Sequence, residues 1–224
     1  MGANAHGKII EYVKQLNKNT SFVEIGMAHD PHPDSSTCEL FRIANEHGIN
    51  MYSIDTNEYL LDAIIERSPE VFYNPNYNVI IGDGEDFLKN YPGKPISFAY
   101  LDNFDWMYNP QLYWEEQEPE WQHQQYLDYQ AKGVELNNIN SALAHLKQTM
   151  LIEALTDEKA VILYDDTWFS DISDNYVGKG CASIYYLLAK GWEVIPFTKH
   201  DLPYGSTAIM LGKNIIPNKE GTIH

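Results

Sequence analysis

Carboxylates recur just past the apolar runs of this 224-residue chain, and they set the chemistry it could do. Glu24 closes one run, Asp55 the next, and Asp83, Glu85 and Asp86 follow a third. Asp102 and Asp105 follow a fourth, and Asp165 and Asp166 a fifth. A single acid so placed caps a helix or faces water. Five in step describe a rim. After the second run, Asp55 is placed to accept two hydrogen bonds from a ribose diol, and its charge would reject a 2′-phosphate. Asp102, Asp165 and Asp166 form an all-oxygen set of the kind that suits Mg²⁺, Mn²⁺ or Ca²⁺, since three clustered carboxylates without a cation would repel one another. Asp105, His145 and His123 are the candidates for moving a proton. His145 shares a helix face with Gln148, and its imidazole has an intrinsic pKa suited to neutral-pH transfer.

The elements that must position these groups alternate along the chain. Ile9, Ile10, Val13 and Leu16 have helical spacing, and Phe22 to Ile25 then reads as a short buried strand ending at Gly26. Strands follow at MYSID, YNVII, ISFAYLD and AVILYDD, separated by helices through Leu60, Leu61, Ile64 and Ile65 and over about 136 to 155. A helix, ASIYYLLAK, precedes two last strands near 192–197 and 206–212, joined by a turn with Pro203 and Gly205 and so antiparallel. This pattern predicts an α/β fold: a Rossmann-like, doubly wound, mostly parallel seven-stranded sheet with an antiparallel last strand. Ligands of such sheets sit beyond the carboxyl ends of the strands, where the acids are. The chain is expected to form one domain over 1–224. An aromatic-rich insertion over about 103–135 carries eight rings between Phe104 and Tyr129 and no Lys or Arg from 104 to 129. It reads as a lid or substrate wall, with an interface patch or satellite core as the bland alternative.

Composition excludes whole classes of partner. Thirty-two acids against fifteen bases leave a net charge of −17 and a pI near 4.7, which repels a phosphate backbone and an anionic membrane. The expected partner is a small molecule, with no nucleic acid and no membrane; a homo-oligomer stays open. The polar start MGANAHGKII lacks the features of a signal peptide, so the expected location is the cytoplasm. Cys38 and Cys181, far apart, read as free thiols.

A nicotinamide enzyme would show G-x-G-x-x-G in the first turn. Here Gly26 is followed by Met27, Ala28, His29 and Asp30, and no diphosphate cradle is visible. A cofactor with an adenosine and a sulfonium but no phosphate favours carboxylates instead, so the acidity selects S-adenosyl-L-methionine. On VEIGMAHD, MYSID, IGDGEDFL, FAYLD and ILYDDTW, the chain resembles the class I S-adenosylmethionine-dependent methyltransferases over essentially its whole length, and within them the metal-dependent small-molecule O-methyltransferases.

The resemblance implies that Glu24, Gly26 and Met27 line the methionine and ribose end, that Asp55 binds the ribose, and that Asp83, Gly84 and Glu85 flank the adenine. It implies that Asp102, Asp165 and Asp166 hold Mg²⁺ (or Mn²⁺ or Ca²⁺) for in-line O-methylation of a small-molecule hydroxyl. The catalytic set so expected is Asp102, Asp105 and His145. Asp105 stands where the catechol enzymes carry a lysine, and the interval from Gly26 to Asp55 is longer than usual, which places extra residues near 30–35 with Ser35, Ser36 or Thr37 capping the next helix. Lys179, in VGKG, either anchors a substrate anion or pairs with the acidic rim. The competing readings are an NAD-dependent oxidoreductase and a non-catalytic S-adenosylmethionine-binding subunit.

Overall fold

The computed structural model describes residues 12–28, 31, 33–104, 120–195 and 208–216. Its centre is a seven-stranded sheet built from β1 (Ser21–Ile25), β2 (Asn50–Asp55), β3 (Tyr77–Ile81), β4 (Ile96–Leu101), β5 (Thr156–Asp165), β8 (Glu193–Ile195) and β9 (Ala208–Lys213), in the order β3-β2-β1-β4-β5-β9-β8. Only β9 runs against its neighbours, pairing antiparallel with both β5 and β8. The doubly wound α/β expectation, with its antiparallel last strand, matches this sheet.

β1 and β4 lie in the middle, and every residue of both is buried. That is why SFVEI and ISFAYL are apolar without alternation: each face of the strand meets a separate core. Phe22, Phe98, Tyr100, Val161 and Leu163 enter the core on one face. There they meet α1 (Ser36–Glu46), α2 (Tyr59–Arg67) and α3 (Pro69–Phe72) through Leu40, Phe41, Ile64 and Val71. The alternate residues Val23, Ile25, Ala99, Leu101, Ile162 and Tyr164 point the other way. They pack with Leu88 of α4 (Gly84–Lys89), Ile152 of α6 (Asn138–Leu155) and Ile184 and Leu187 of α7 (Cys181–Ala189). Helix α5 (Glu120–Ala131) precedes α6.

Caps fix where the helices begin. Of the three candidates before α1, Ser35 is the cap, accepting from the Cys38 N–H; Asp83 caps α4 by accepting from Asp86, and Asn137 caps α6 by accepting from Asn140. Two features depart from the sequence reading. β5 starts at Thr156, four residues before the apolar run AVILYDD. A separate hairpin, β6 (Thr167–Ser170) with β7 (Asn175–Gly178), follows β5 where no strand was expected. Residues 8–11 of the expected amino-terminal helix, the 203–205 turn and residues 105–119 of the 103–135 insertion lie outside the described residues. Cys38 and Cys181 are free thiols, and among the described residues no helix is long and apolar enough to cross a membrane.

Phe22 and Phe98 stack across β1 and β4 with ring centroids 4.9 Å apart, fully inside. Phe98→Ala should therefore lower the unfolding free energy by about 3–5 kcal/mol, read from urea denaturation with an unchanged m-value.

Candidate functional site

The carboxyl ends of β1, β2, β3 and β4 open onto a small, partly open cleft. The backbone ladders run one residue past the strands: Gly26 N–H donates to Ile54, Gly82 N–H to Asp55 and Asp102 N–H to Ile25. Gly26 is required here. Its φ is +92°, and a Cβ on it would stand 2.5 Å from Asn103 N and 2.6 Å from the Asp102 carbonyl carbon. Gly84 has a similar constraint, because a Cβ there would lie 2.5 Å from Cγ2 of Ile25.

Of the residues expected at a cofactor site, Gly26, Met27, Asp55, Asp83 and Gly84 line this cavity. Asp55 accepts from Met27 N–H with one oxygen, at 2.9 Å, and from Asn57 N–H with the other, at 2.8 Å. Asn103, Phe104 and Tyr129 complete the wall. Phe104 holds φ at +59°, its carbonyl accepts from Ser141 Oγ at 3.0 Å, and its ring packs on Tyr129 with centroids 4.6 Å apart. Among the described residues, Asn103 Oδ1 is buried without a hydrogen-bond partner.

Two expected residues are not on the wall. Glu85 turns to Lys89 and Lys147, at 2.9 and 3.9 Å. Glu24 is wholly buried beneath the loop that follows β1. It accepts from Ser53 Oγ at 2.5 Å and Thr37 Oγ1 at 2.9 Å, while Thr37 Oγ1 itself accepts from Ala28 N–H at 2.9 Å. Glu24 thus ties β1, β2 and α1 together and shapes the loop from below. Burial pushes its pKa up to about 8, against the two hydroxyl bonds that favour the charge.

At the ends of β4 and β5, Asp102, Asp165 and Asp166 do converge, but around a lysine. Lys179 Nζ lies 2.9 Å from Asp102 Oδ1 and 2.9 Å from Asp166 Oδ2, with only 4% of the residue exposed. Burial alone would push its pKa down; the Asp102 and Asp166 carboxylates outweigh that and hold it above the ordinary lysine range. Tyr100 shares its hydroxyl proton between Asp165 Oδ2 at 2.7 Å and Asp102 Oδ2 at 3.2 Å. Burial and the Asp102 charge push Asp165 up to about 6, with the Tyr100 bond opposing them.

The expected metal ligands Asp102, Asp165 and Asp166 are thus brought together, with the chain's own donors among them. A divalent ion needs several carboxylate and water oxygens at 2.0–2.6 Å, and here an ammonium already occupies the meeting point of Asp102 and Asp166 while Tyr100 engages Asp165. Among the described residues, no group of three or more His, Cys, Asp or Glu side chains is disposed to hold a metal. Of the two readings of Lys179, the ion pair is the one the geometry contains.

His145 is fully buried on α6, off the cavity wall. Its Nδ1 pairs with the Ser141 carbonyl at 2.9 Å, and among the described residues Nε2 has no partner. Burial lowers its pKa to about 4, and nearby Lys179 acts in the same direction, so the ring is neutral at pH 7. Gln148, one turn on, is also buried, with Oε1 unpartnered. Asp105 lies outside the described residues, and His123 is half-buried on α5, stacked near Tyr126. The sequence reading missed Tyr100 and Asn103, and offered Thr37 only as a helix cap, not as the partner of Glu24. Tyr100 and Asn103 flank Leu101 and Asp102 at the end of β4, so their places next to the acids were available from spacing alone.

By sequence, no protein-family model matches the chain, and no curated protein matches it. By fold, it is similar to SMU.1697c of Streptococcus mutans, a protein assigned as a methyltransferase and solved in complex with SAH; identity is 14%, with 95% of this chain and 99% of that one covered and a TM-score of 0.55. It is also similar to a protein of Clostridium thermocellum assigned as an rRNA methylase (11%, 94% and 97% covered, TM-score 0.54). A third likeness is to the O-methyltransferase TomG of Streptomyces achromogenes, which takes part in tomaymycin synthesis and was solved with SAM (11%, 95% and 79%, TM-score 0.53).

Because Glu24 has a folded-state pKa far above the unfolded value of 4.5, its contribution to stability is intact below about pH 4.5 and is lost as pH rises through about 8. Glu24→Gln should remove that fall. Urea unfolding at pH 5, 7 and 9 should show the variant gaining on wild type by a few kcal/mol at the alkaline end, with the two converging toward pH 5.

Proposed function

We propose that this chain is an S-adenosylmethionine-dependent methyltransferase that methylates a hydroxyl group of a small molecule. The observation that carries the reading is the cavity at the carboxyl ends of β1 to β4, with Asp55 after β2 and an acidic wall in place of a diphosphate cradle. The fold shared with proteins solved in complex with SAM and SAH supports it.

The residues present fit that donor. Asp55 would accept from the ribose hydroxyls, the Gly26 backbone leaves room for the chain that joins ribose to sulfur, and Asp83 with Phe104 and Tyr129 would flank the base. When bound, the donor supplies an electrophilic methyl on a positively charged sulfur, which the carboxylates Asp55, Asp83 and Asp102 stabilise through space.

On the acceptor side, Asp102 is the member of the inner cluster that reaches the cavity wall, so it is the carboxylate placed to receive the acceptor's proton. Tyr100 and Lys179 hold its two oxygens and fix its orientation. His145, sealed behind the wall, supports this arrangement without facing the acceptor. Transfer of the methyl group then moves the C–S bonding pair onto sulfur as the acceptor oxygen forms its new bond. A small acceptor, and not a polynucleotide, follows from the net charge of −17.

Isothermal calorimetry tests the reading: wild type should bind S-adenosylmethionine and give no heat with NAD⁺. Asp55→Ala should weaken donor binding by roughly 10-fold to 100-fold, since two charge-assisted hydrogen bonds are lost. No heat with the donor, or equal affinity in the variant, would refute the assignment. Formation of S-adenosylhomocysteine on incubation with hydroxyl-bearing acceptors would separate an enzyme from a non-catalytic binding subunit.

A further inference from the structure

Lys179 is presented by a purpose-built piece of backbone. It sits between two glycines at the junction of β7 and α7. Gly178 has φ of +95°, and a Cβ on it would stand 1.9 Å from the Asp166 carbonyl oxygen. Gly180 has no room for a Cβ either, because one would lie 2.7 Å from the Tyr164 ring. The Lys179 N–H donates to the Asp166 carbonyl at 3.1 Å, and the Gly180 N–H donates to Thr167 Oγ1 at 2.9 Å. The hairpin β6–β7 therefore folds back on the end of β5 so closely that only Gly-Lys-Gly fits, and the lysine stem is carried under Asp166 to Asp102 on the neighbouring strand.

The charges explain what that delivery achieves. Asp102, Asp165 and Asp166 come from adjacent strands and cannot all stay ionised side by side without a cation. The ammonium bridges two of them, and the Tyr100 hydroxyl joins the third to the first. Asp166 holds φ at +44°, a left-handed conformation that a non-glycine residue adopts at a cost and that aims its carboxylate at the ammonium. All three carboxylates are thus engaged by the chain's own donors.

We propose that Lys179 is the resident cation of this site: its ammonium holds Asp102 and Asp166 apart at the place a divalent ion would need, so that the wild-type protein excludes Mg²⁺ and Mn²⁺, and removing the lysine charge frees Asp102, Asp165 and Asp166 to regroup around a divalent ion, a grouping they do not have while the ammonium is there. Lys179 acts through the carboxylates it holds and is a positioning residue. The inference concerns the cluster alone and does not require the methyl donor to bind.

The test uses Mn²⁺ as the probe, followed by electron paramagnetic resonance of the free ion and by calorimetry, on the full chain. Lys179→Met keeps the apolar stem and removes the charge. It should bind one Mn²⁺ at least roughly 100-fold more tightly than wild type, and adding Asp102→Asn to it should abolish that binding. A purely structural lysine would lower stability on substitution but create no ion site. The proposal is overturned if folded Lys179→Met, checked by circular dichroism and a cooperative unfolding transition, binds no more Mn²⁺ than the double variant. It is equally overturned if wild type itself binds Mn²⁺ and Asp102→Asn alone removes that binding. Should Lys179→Met fail to fold, the comparison of wild type with Asp102→Asn decides: equal, negligible uptake supports exclusion. Donor calorimetry run in parallel stands apart, since its failure would refute methyl transfer and leave cation exclusion intact.

Discussion

The ammonium of Lys179 between Asp102 and Asp166 is the interaction on which the acidic end of this sheet depends. Two strands that end in carboxylates side by side would push apart or hold protons, and burial makes either outcome more costly. A buried lysine answers the repulsion. Its own burial is tolerable because both partners are within hydrogen-bond distance and because the flanking glycines bring it in without backbone conflict. Removing one member of such a set leaves an unpaired charge, so the cluster holds together as a unit.

The same end of the sheet shows how alternation sorts acids by role. Glu24 lies on the face of β1 that carries Phe22, toward α1, and so becomes an internal tie between Thr37 and Ser53. Asp55 is the last ladder residue of β2 and Asp102 follows the last of β4, where the pleat gives way to loop, and both line the cavity. One strand-end acid is therefore scaffold and two are wall, although all three read alike in a linear sequence.

The fold was legible because its signals are local. SFVEI, MYSID, YNVII and ISFAYL are short apolar runs broken by turn residues and helical periods, and each became a strand of the sheet. The β6–β7 hairpin was overlooked, although TWFS and NYVG flank a polar turn in a way that signals one. The candidate site was legible in part. Spacing brought Gly26, Asp55, Asp83 and Asp102 to one rim, since strand ends converge in any parallel sheet. What spacing could not convey is occupancy: the same three aspartates serve a metal or a lysine equally well, and the choice rests on a residue 77 positions from Asp102, delivered by a hairpin.

The contact of Gly26 with the backbone at Asp102 and Asn103 carries a further consequence. The two strand ends touch with no side chain between them, so the floor under Asp55 and the floor beside Asp102 cannot slide past each other. Under the proposed reading, that contact acts as a depth gauge. It sets how far an acceptor must reach before its oxygen meets the methyl carbon, and a molecule of the right polarity but the wrong length would dwell in the cleft without reacting.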